Sequence, residues 1–397
     1  MKSTRQSSLF FIYVTVFINI VAFSMVFPLL PMYAKTFEAS NISIGLLAAS
    51  FALAQLLFSP LWGMLSDKYG RKPIMAVGLL GTAVSFLLFG LAASLPMLFV
   101  SRFLQGVFSS ASIPAARAYI ADITSKEERV KEMGRIGASL ALGIVLGPAI
   151  GGLLAQTNPS LPFLGAGFVA LLSFLFVLKF VPESLSVKSQ KRLVLKQGFV
   201  APISKIKWGL QSSLMPLFIL SLVWSFALSN NSVAVPLLGI EKFNASAIDI
   251  GLFFTILGIV AAIVQFFLLP KITSFLGEHL TVTIGLLLMA IGFTIMPFVP
   301  VQLLFLYIAG AVAGFGSAVS RPVITALISK ETEEAQGVTM GTANTFESLG
   351  RLIGPLLGGF LFSYSMATPF VFSGAVVVFI VLFIVGNTQF LKQTKPV

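Results

Sequence analysis

Long apolar runs alternate along this chain with short polar breaks. Twelve of the runs approach the roughly 20 residues that a helix needs to cross a bilayer. They cover about 9–33, 44–65, 74–94, 97–121, 134–156, 162–181, 214–238, 248–269, 280–298, 302–328, 337–361 and 369–389. The breaks carry Pro, Asn, Gly or charge, as at Thr157, Asn158 and Pro159 and again from Pro297 to Pro300. Runs of this length predict an all-α membrane protein, because a helix satisfies its own backbone polar groups inside lipid.

The pattern also repeats. Gly134, Gly143, Gly147, Pro148, Gly151 and Gly152 spell G-x8-G-x3-G-P-x2-G-G, and Gly341, Gly350, Gly354, Pro355, Gly358 and Gly359 spell it again. Gly106 and Pro114 match Gly314 and Pro322, Pro31 matches Pro236, and Gly45 matches Gly251. Two parallel halves built this way are common among secondary transporters. The expected organisation is a six-helix bundle over 1–181, a linker over 182–213 and a second six-helix bundle over 214–397. On a helix, Gly143, Gly147 and Gly151 form one smooth stripe that admits a close neighbour. That stripe reads either as plain packing or as a surface between the halves that controls which side opens.

Composition agrees with lipid as the solvent. The chain is 57% hydrophobic and only 10% charged, against about 25% charged in ordinary globular proteins. Cysteine is absent and His279 is the single histidine, which excludes disulfides, thiol chemistry and a His-rich metal cluster. The run from Leu9 is too long for the core of a cleavable signal and is expected to remain as the first span. A net charge of +12 would suggest nucleic acid in a soluble protein, but here it reports orientation. With both termini in the cytoplasm, 20 of the 26 Lys and Arg fall in cytoplasmic segments, while Lys35 and Lys242 fall outside. Lys188, Lys191, Arg192, Lys196, Lys205 and Lys207 place the linker near anionic lipid headgroups.

The turn after the second span reads Gly63, then Asp67, Lys68, Gly70, Arg71 and Lys72, a G-x3-D-K-x-G-R-K pattern. Gly70 permits a tight turn, and Asp67 can accept from Arg71 or meet the positive end of a nearby helix. Asp122, at the inner end of the fourth span, is placed to pair with Arg71. The second half keeps only Gly277 at the matching place, with Ser274 where Asp67 would be, so this latch is one-sided. This loop, after span two of twelve, resembles the signature of the major facilitator superfamily. Tyr119 to Thr124, the glycine pattern and Pro182-Glu183-Ser184 make the chain similar to the twelve-span drug:proton antiporters that export tetracycline and many other drugs. The resemblance implies the two-bundle fold, a single chain working as a monomer, and a seat in the bacterial cytoplasmic membrane. It also implies a role in proton transfer for the arginine at Arg102, and exporter character for the glycine pattern of span five. Snorkelling to the outer surface is the alternative for Arg102.

Of the fourteen acids, only Glu347 lies well inside a run. It shares a helix face with Gly354, Gly358 and Arg351. It reads either as an ion pair with Arg351 or Arg321, or as a carrier that takes a proton when its site is dry and yields it to water or a cation. Polar and aromatic residues elsewhere suggest the cargo site: Asn19, Phe23, Phe27, Gln55, Trp224, Phe226, Asn230, Asn231 and Gln265. In the superfamily the spans that carry them meet at the cavity. The amide pair Asn230 and Asn231 is the stronger candidate, since unpartnered amides are costly in lipid.

The expectation is export of a small amphipathic molecule driven by the proton gradient, with no cofactor, no metal and no nucleic acid. Export of a sugar, metabolite or lipid is the alternative. A membrane enzyme or receptor is remote, because no nucleophile–His–acid set, metal cluster or G-x4-G-K-[ST] loop is present. Many related exporters carry an acid in span one, and this chain has none there.

Overall fold

The computed structural model describes residues 2–184, 195–330 and 336–387, and every regular element among them is helical. The helices are α1 (Lys2–Val26), α2 (Leu30–Lys35), α3 (Asn41–Tyr69), α4 (Arg71–Gly90), α5 (Leu95–Ile123), α6 (Lys126–Thr157), α7 (Leu161–Phe180), α8 (Leu195–Gln211), α9 (Met215–Phe243), α10 (Ala247–Ile263), α11 (Leu269–Leu276), α12 (Glu278–Ile295), α13 (Leu303–Lys330), α14 (Gln336–Phe362) and α15 (Thr368–Asn387). A 3-10 turn at Phe27–Leu29 joins α1 to α2, and a π turn at Val264–Leu268 joins α10 to α11. Each joined pair forms one crossing, so the described chain has the twelve crossings that the apolar runs predict. Ten are apolar enough to span a membrane by composition alone. The other two, α5 and α14, are as long but carry Arg102, Gln105 and Arg117, or Glu347 and Arg351, within the span.

The chain divides into two compact units. One contains 1–38 and 50–201, the other 39–49 and 202–397. Within the first, α6 lies along α1, α4 packs on α5 and α7, and α1 also meets α7. Within the second, α14 lies along α9, α12 packs on α13 and α15, and α9 meets α15. These four pairings recur in the same order in both units, which is the internal repeat expressed as packing. Lys188, Lys191 and Arg192 of the expected linker lie outside the described residues.

The close approach predicted for the glycine stripes is present, but the partner differs from the inter-half reading. Gly143, Gly147 and Gly151 lie against α1 of their own unit, at Phe17, Ile20, Val21, Ser24 and Met25. Gly350, Gly354 and Gly358 lie against α9, at Leu222, Phe226 and Asn230. Each stripe therefore seats the fifth crossing of a unit on its first. In both units a serine of that first crossing reinforces the contact: Ser24 Oγ donates to the Gly143 carbonyl at 2.8 Å and Ser225 Oγ to the Glu347 carbonyl at 2.7 Å. Gly152 is buried, and Gly359 turns instead to Asn41 and Gly45 at the start of α3. Both helices continue through Pro148 and Pro355. Gly134 has open space around it, and Gly341 lies against the Lys205 side chain of α8. Burial in that seat pushes the Lys205 ammonium below its ordinary value.

Candidate functional site

The turn between α3 and α4 is a charged knot. Gly70 has φ of 109°, a backbone that L side chains rarely adopt, and a Cβ there would run into the Glu183 carboxylate. The Arg71 guanidinium donates to Asp67 at 2.6 Å, to Ser66 at 3.2 Å and to Asp122 at 3.0 Å. Both predicted partners of Arg71 are thus in place. The positive end of α4 is met by Glu183 rather than Asp67: the Arg71 and Lys72 backbone N–H groups donate to its carboxylate at 2.9 and 3.1 Å. Lys72 Nζ reaches the Leu178 carbonyl, and Lys68 lies over the Tyr69 ring. A Cβ on Gly63 would meet open space, so its place in the pattern has no packing reason here. In the second unit Gly277 repeats the positive φ, while Ser274 bonds only to the Lys271 carbonyl.

One guanidinium serving two carboxylates makes a definite expectation. Arg71→Ala should lower the thermal midpoint in detergent by more than Asp67→Asn or Asp122→Asn alone. Asp67 and Asp122 are 42% and 27% exposed, so each single loss is worth about 1 kcal/mol or less. Equal shifts for all three variants would show that Arg71 is not the hub.

The centre of the first unit holds Arg102, which is only 2% exposed. It does not snorkel. Its guanidinium lies 4.5 Å from the centre of the Phe51 ring, and Nη1 donates to Gln105 Oε1. Among the described residues Arg102 Nε and Gln105 Nε2 have no acceptor, and nor does Asn19 Nδ2 on α1. Such groups cost about 1–3 kcal/mol each when left unpaired. Phe23 stacks near Phe27 and near Phe51, with centroids 5.7 and 5.5 Å apart. Gln55 donates to Ser109 at 3.4 Å. A further carboxylate is present nearer the start of α6: Glu132 accepts from Tyr13 and from Arg135 and is buried. The apolar run of the fifth span, from 134, begins beyond Glu132 and leaves it outside.

The second unit has its own polar centre. Glu347 is 7% exposed, and its Oε2 meets Arg321 Nη2 at 3.3 Å. Arg321, on α13, lies over the Trp224 ring at 5.1 Å, and Trp224 Nε1 donates to Ser317 at 3.0 Å. Of the two partners open to Glu347, the structure therefore selects Arg321. Arg351 is exposed and bonds to Ser348 at 2.9 Å. Its i+4 spacing brings it onto the same side of α14 but not onto the carboxylate.

The amide pair joins two helices through its nitrogens, while both Oδ1 atoms are buried with no hydrogen-bond partner among the described residues. Asn230 Nδ2 donates to the Pro369 carbonyl at 2.9 Å, and Asn231 Nδ2 to Ala227 and to Ser373 at 2.9 and 3.1 Å. Both hold α9 to α15, because a buried amide takes whatever partner the packing supplies. Phe226 is likewise buried, edge-on to Phe372. Gln265 stands exposed on the π turn beside Phe266 and Phe267.

A family model described as Major Facilitator Superfamily matches residues 12–229 and again 217–396. The chain belongs to the Major Facilitator Superfamily. Among its curated relatives, Multidrug resistance protein 2 of Bacillus subtilis is 32% identical, over 98% of this chain and 97% of that one. The quinolone resistance protein NorA of Staphylococcus aureus is 30% identical, over 92% of each. A solved POT family transporter matches with a TM-score of 0.80 over 98% of this chain and 96% of that chain, at 16% identity, which speaks to the fold. As a member of this superfamily the chain is a multi-pass membrane transporter of small molecules. Its residues Arg321, Ser317, Phe51, Gln105 and Glu183 join the site only once the helices are packed. Of these, Glu183 had a signal in the sequence through the Pro182-Glu183-Ser184 resemblance, and Arg321 as one of the two cations open to Glu347.

Proposed function

We infer that this transporter exports small amphipathic drugs across the bacterial cytoplasmic membrane in exchange for protons. The relatives named for multidrug and quinolone resistance support the cargo class. One observation carries the coupling: a buried carboxylate deep in a span, Glu347, held by a single long contact to a cation that is itself 54% exposed. Ionised, Glu347 holds Arg321 beside it. Protonated, it releases Arg321 to the Trp224 ring and to water, and the second bundle no longer has a charge pair tying α13 to α14. The exchange between these states, with cargo and proton taking turns, is the minimum that an alternating-access antiporter needs. The proton gradient is the only energy source in this account, the protein acts as a monomer, and both termini lie in the cytoplasm.

Inverted membrane vesicles test the reading. A fluorescent quinolone should accumulate inside them when the lumen is acid, and accumulation should stop when an ionophore collapses the gradient. Accumulation that survives the collapse and follows ATP instead would end the proposal.

A further inference from the structure

The two polar centres are unequal in a way that bears on the cargo. In the second unit the buried acid has its cation. In the first unit the buried cation has no acid: among the described residues no carboxylate lies within ion-pair reach of Arg102. Every unmet group on the Arg102–Gln105 pair is a donor. The Gln105 carbonyl oxygen is taken by Arg102 Nη1, which leaves Gln105 Nε2 and Arg102 Nε pointing at nothing that accepts. Asn19 Nδ2 is in the same condition. It lies one helical turn before Phe23, whose ring adjoins Phe51, the ring under Arg102. A cationic group here would meet a like charge. A planar oxyanion would satisfy the guanidinium and the Gln105 amide together, since a carboxylate accepts up to four hydrogen bonds and matches the guanidinium fork. The rings of Phe23 and Phe51 beside it suit an aromatic body.

We propose that the first unit carries a receptor for the carboxylate of an aromatic cargo, formed by Arg102 and Gln105. The proposal deepens the export reading and rests on it for the word cargo. It assigns Arg102 to recognition. Export of such an anion also gains from a negative cell interior, since moving a negative charge outward runs down the potential. It also fits a first span without an acid, which would repel the same group.

Purified full-length protein tests it with two probes that share a ring system, 1-naphthoate and 1-naphthamide. Wild type should bind the acid about tenfold or more tighter than the amide, read by thermal stabilisation and by competition. Arg102→Gln should erase the preference. Gln105→Glu is the second variant: it is isosteric, keeps the acceptor for Arg102 Nη1 and sets a fixed carboxylate beside the guanidinium. It should fold at least as stably as wild type and lose the preference for the acid. Equal binding of acid and amide by wild type, or a preference that survives in Gln105→Glu, overturns the proposal. Chloride titrated at constant ionic strength separates the other source of the same chemistry. If chloride alone stabilises the protein through Arg102 and naphthoate adds nothing, the site takes a small inorganic anion and the aromatic cargo is refuted. Proton-driven quinolone accumulation by wild type, measured in the same membranes, stands or falls separately, so failure of this receptor is distinguishable from failure of the export reading.

Discussion

Glu347→Gln is expected to abolish uphill export while leaving the protein folded and able to carry cargo downhill. The amide keeps the shape of the carboxyl but cannot gain or lose a proton. Arg321 is half exposed, so the lost pair costs at most about 1 kcal/mol of stability. The functional loss is far larger. One proton moving through 100 mV supplies about 2.3 kcal/mol, enough to sustain roughly fiftyfold accumulation. In proteoliposomes with an imposed pH gradient and the potential clamped at zero, the variant should bring the cargo ratio to unity. Arg321→Gln should behave in the same way, because the carboxylate then has no cation to hold or release. Arg351→Gln should remain coupled, since Arg351 bonds to Ser348 and not to the acid. A coupled Glu347→Gln, or an uncoupled Arg351→Gln beside a coupled Arg321→Gln, would return the proton to another group.

The second large effect is on assembly of the first unit. Gly147→Leu should leave little folded protein, whereas Gly134→Leu, in the same motif, should be tolerated. A Cβ at Gly147 would lie 2.8 Å from the Val21 carbonyl oxygen and 2.9 Å from the Met25 nitrogen, and would run into Ser24 Oγ. Two of these are backbone atoms, so α1 and α6 must part. Overpacking of this kind costs about 1–3 kcal/mol and sometimes more, in a contact that runs along two whole helices. Gly134 has nothing within 4 Å of an added Cβ, and there a leucine favours the helix by up to about 1 kcal/mol. Monodispersity and thermal midpoint in detergent report both. Equal behaviour of the two variants would mean that the stripe does not set the α1–α6 distance.

What was legible in the chain beforehand divides along lines of range. Apolar run length and the backbone's need for partners in lipid fix crossings locally, so all twelve were readable, including α5 and α14 despite their charges. The Arg71 knot was readable because Asp67 lies one turn away and Asp122 ends a recognisable helix. Spacing also showed which face of α6 and α14 carries glycine. It could not show which helix fills that face, since a stripe of small residues accepts any close neighbour. The partner of Glu347 was ambiguous for the same reason. Arg351 is near in sequence, and Arg321 wins through the packing of α13 on α14. Amides in lipid need partners, and for the nitrogens of Asn230 and Asn231 α15 supplies them, which spacing along α9 does not reveal. Glu132 stands outside the apolar run of its span, and its partner Tyr13 is 119 residues away, so neither run length nor spacing marks it.

Cargo-induced proton release bears most directly on the claim that Glu347 trades its proton for cargo. Quinolone added to purified wild-type protein in weakly buffered detergent, across a pH series, should release protons as it binds, up to about one per molecule bound. Glu347→Gln should bind and release none. Undiminished proton release from Glu347→Gln would contradict the account.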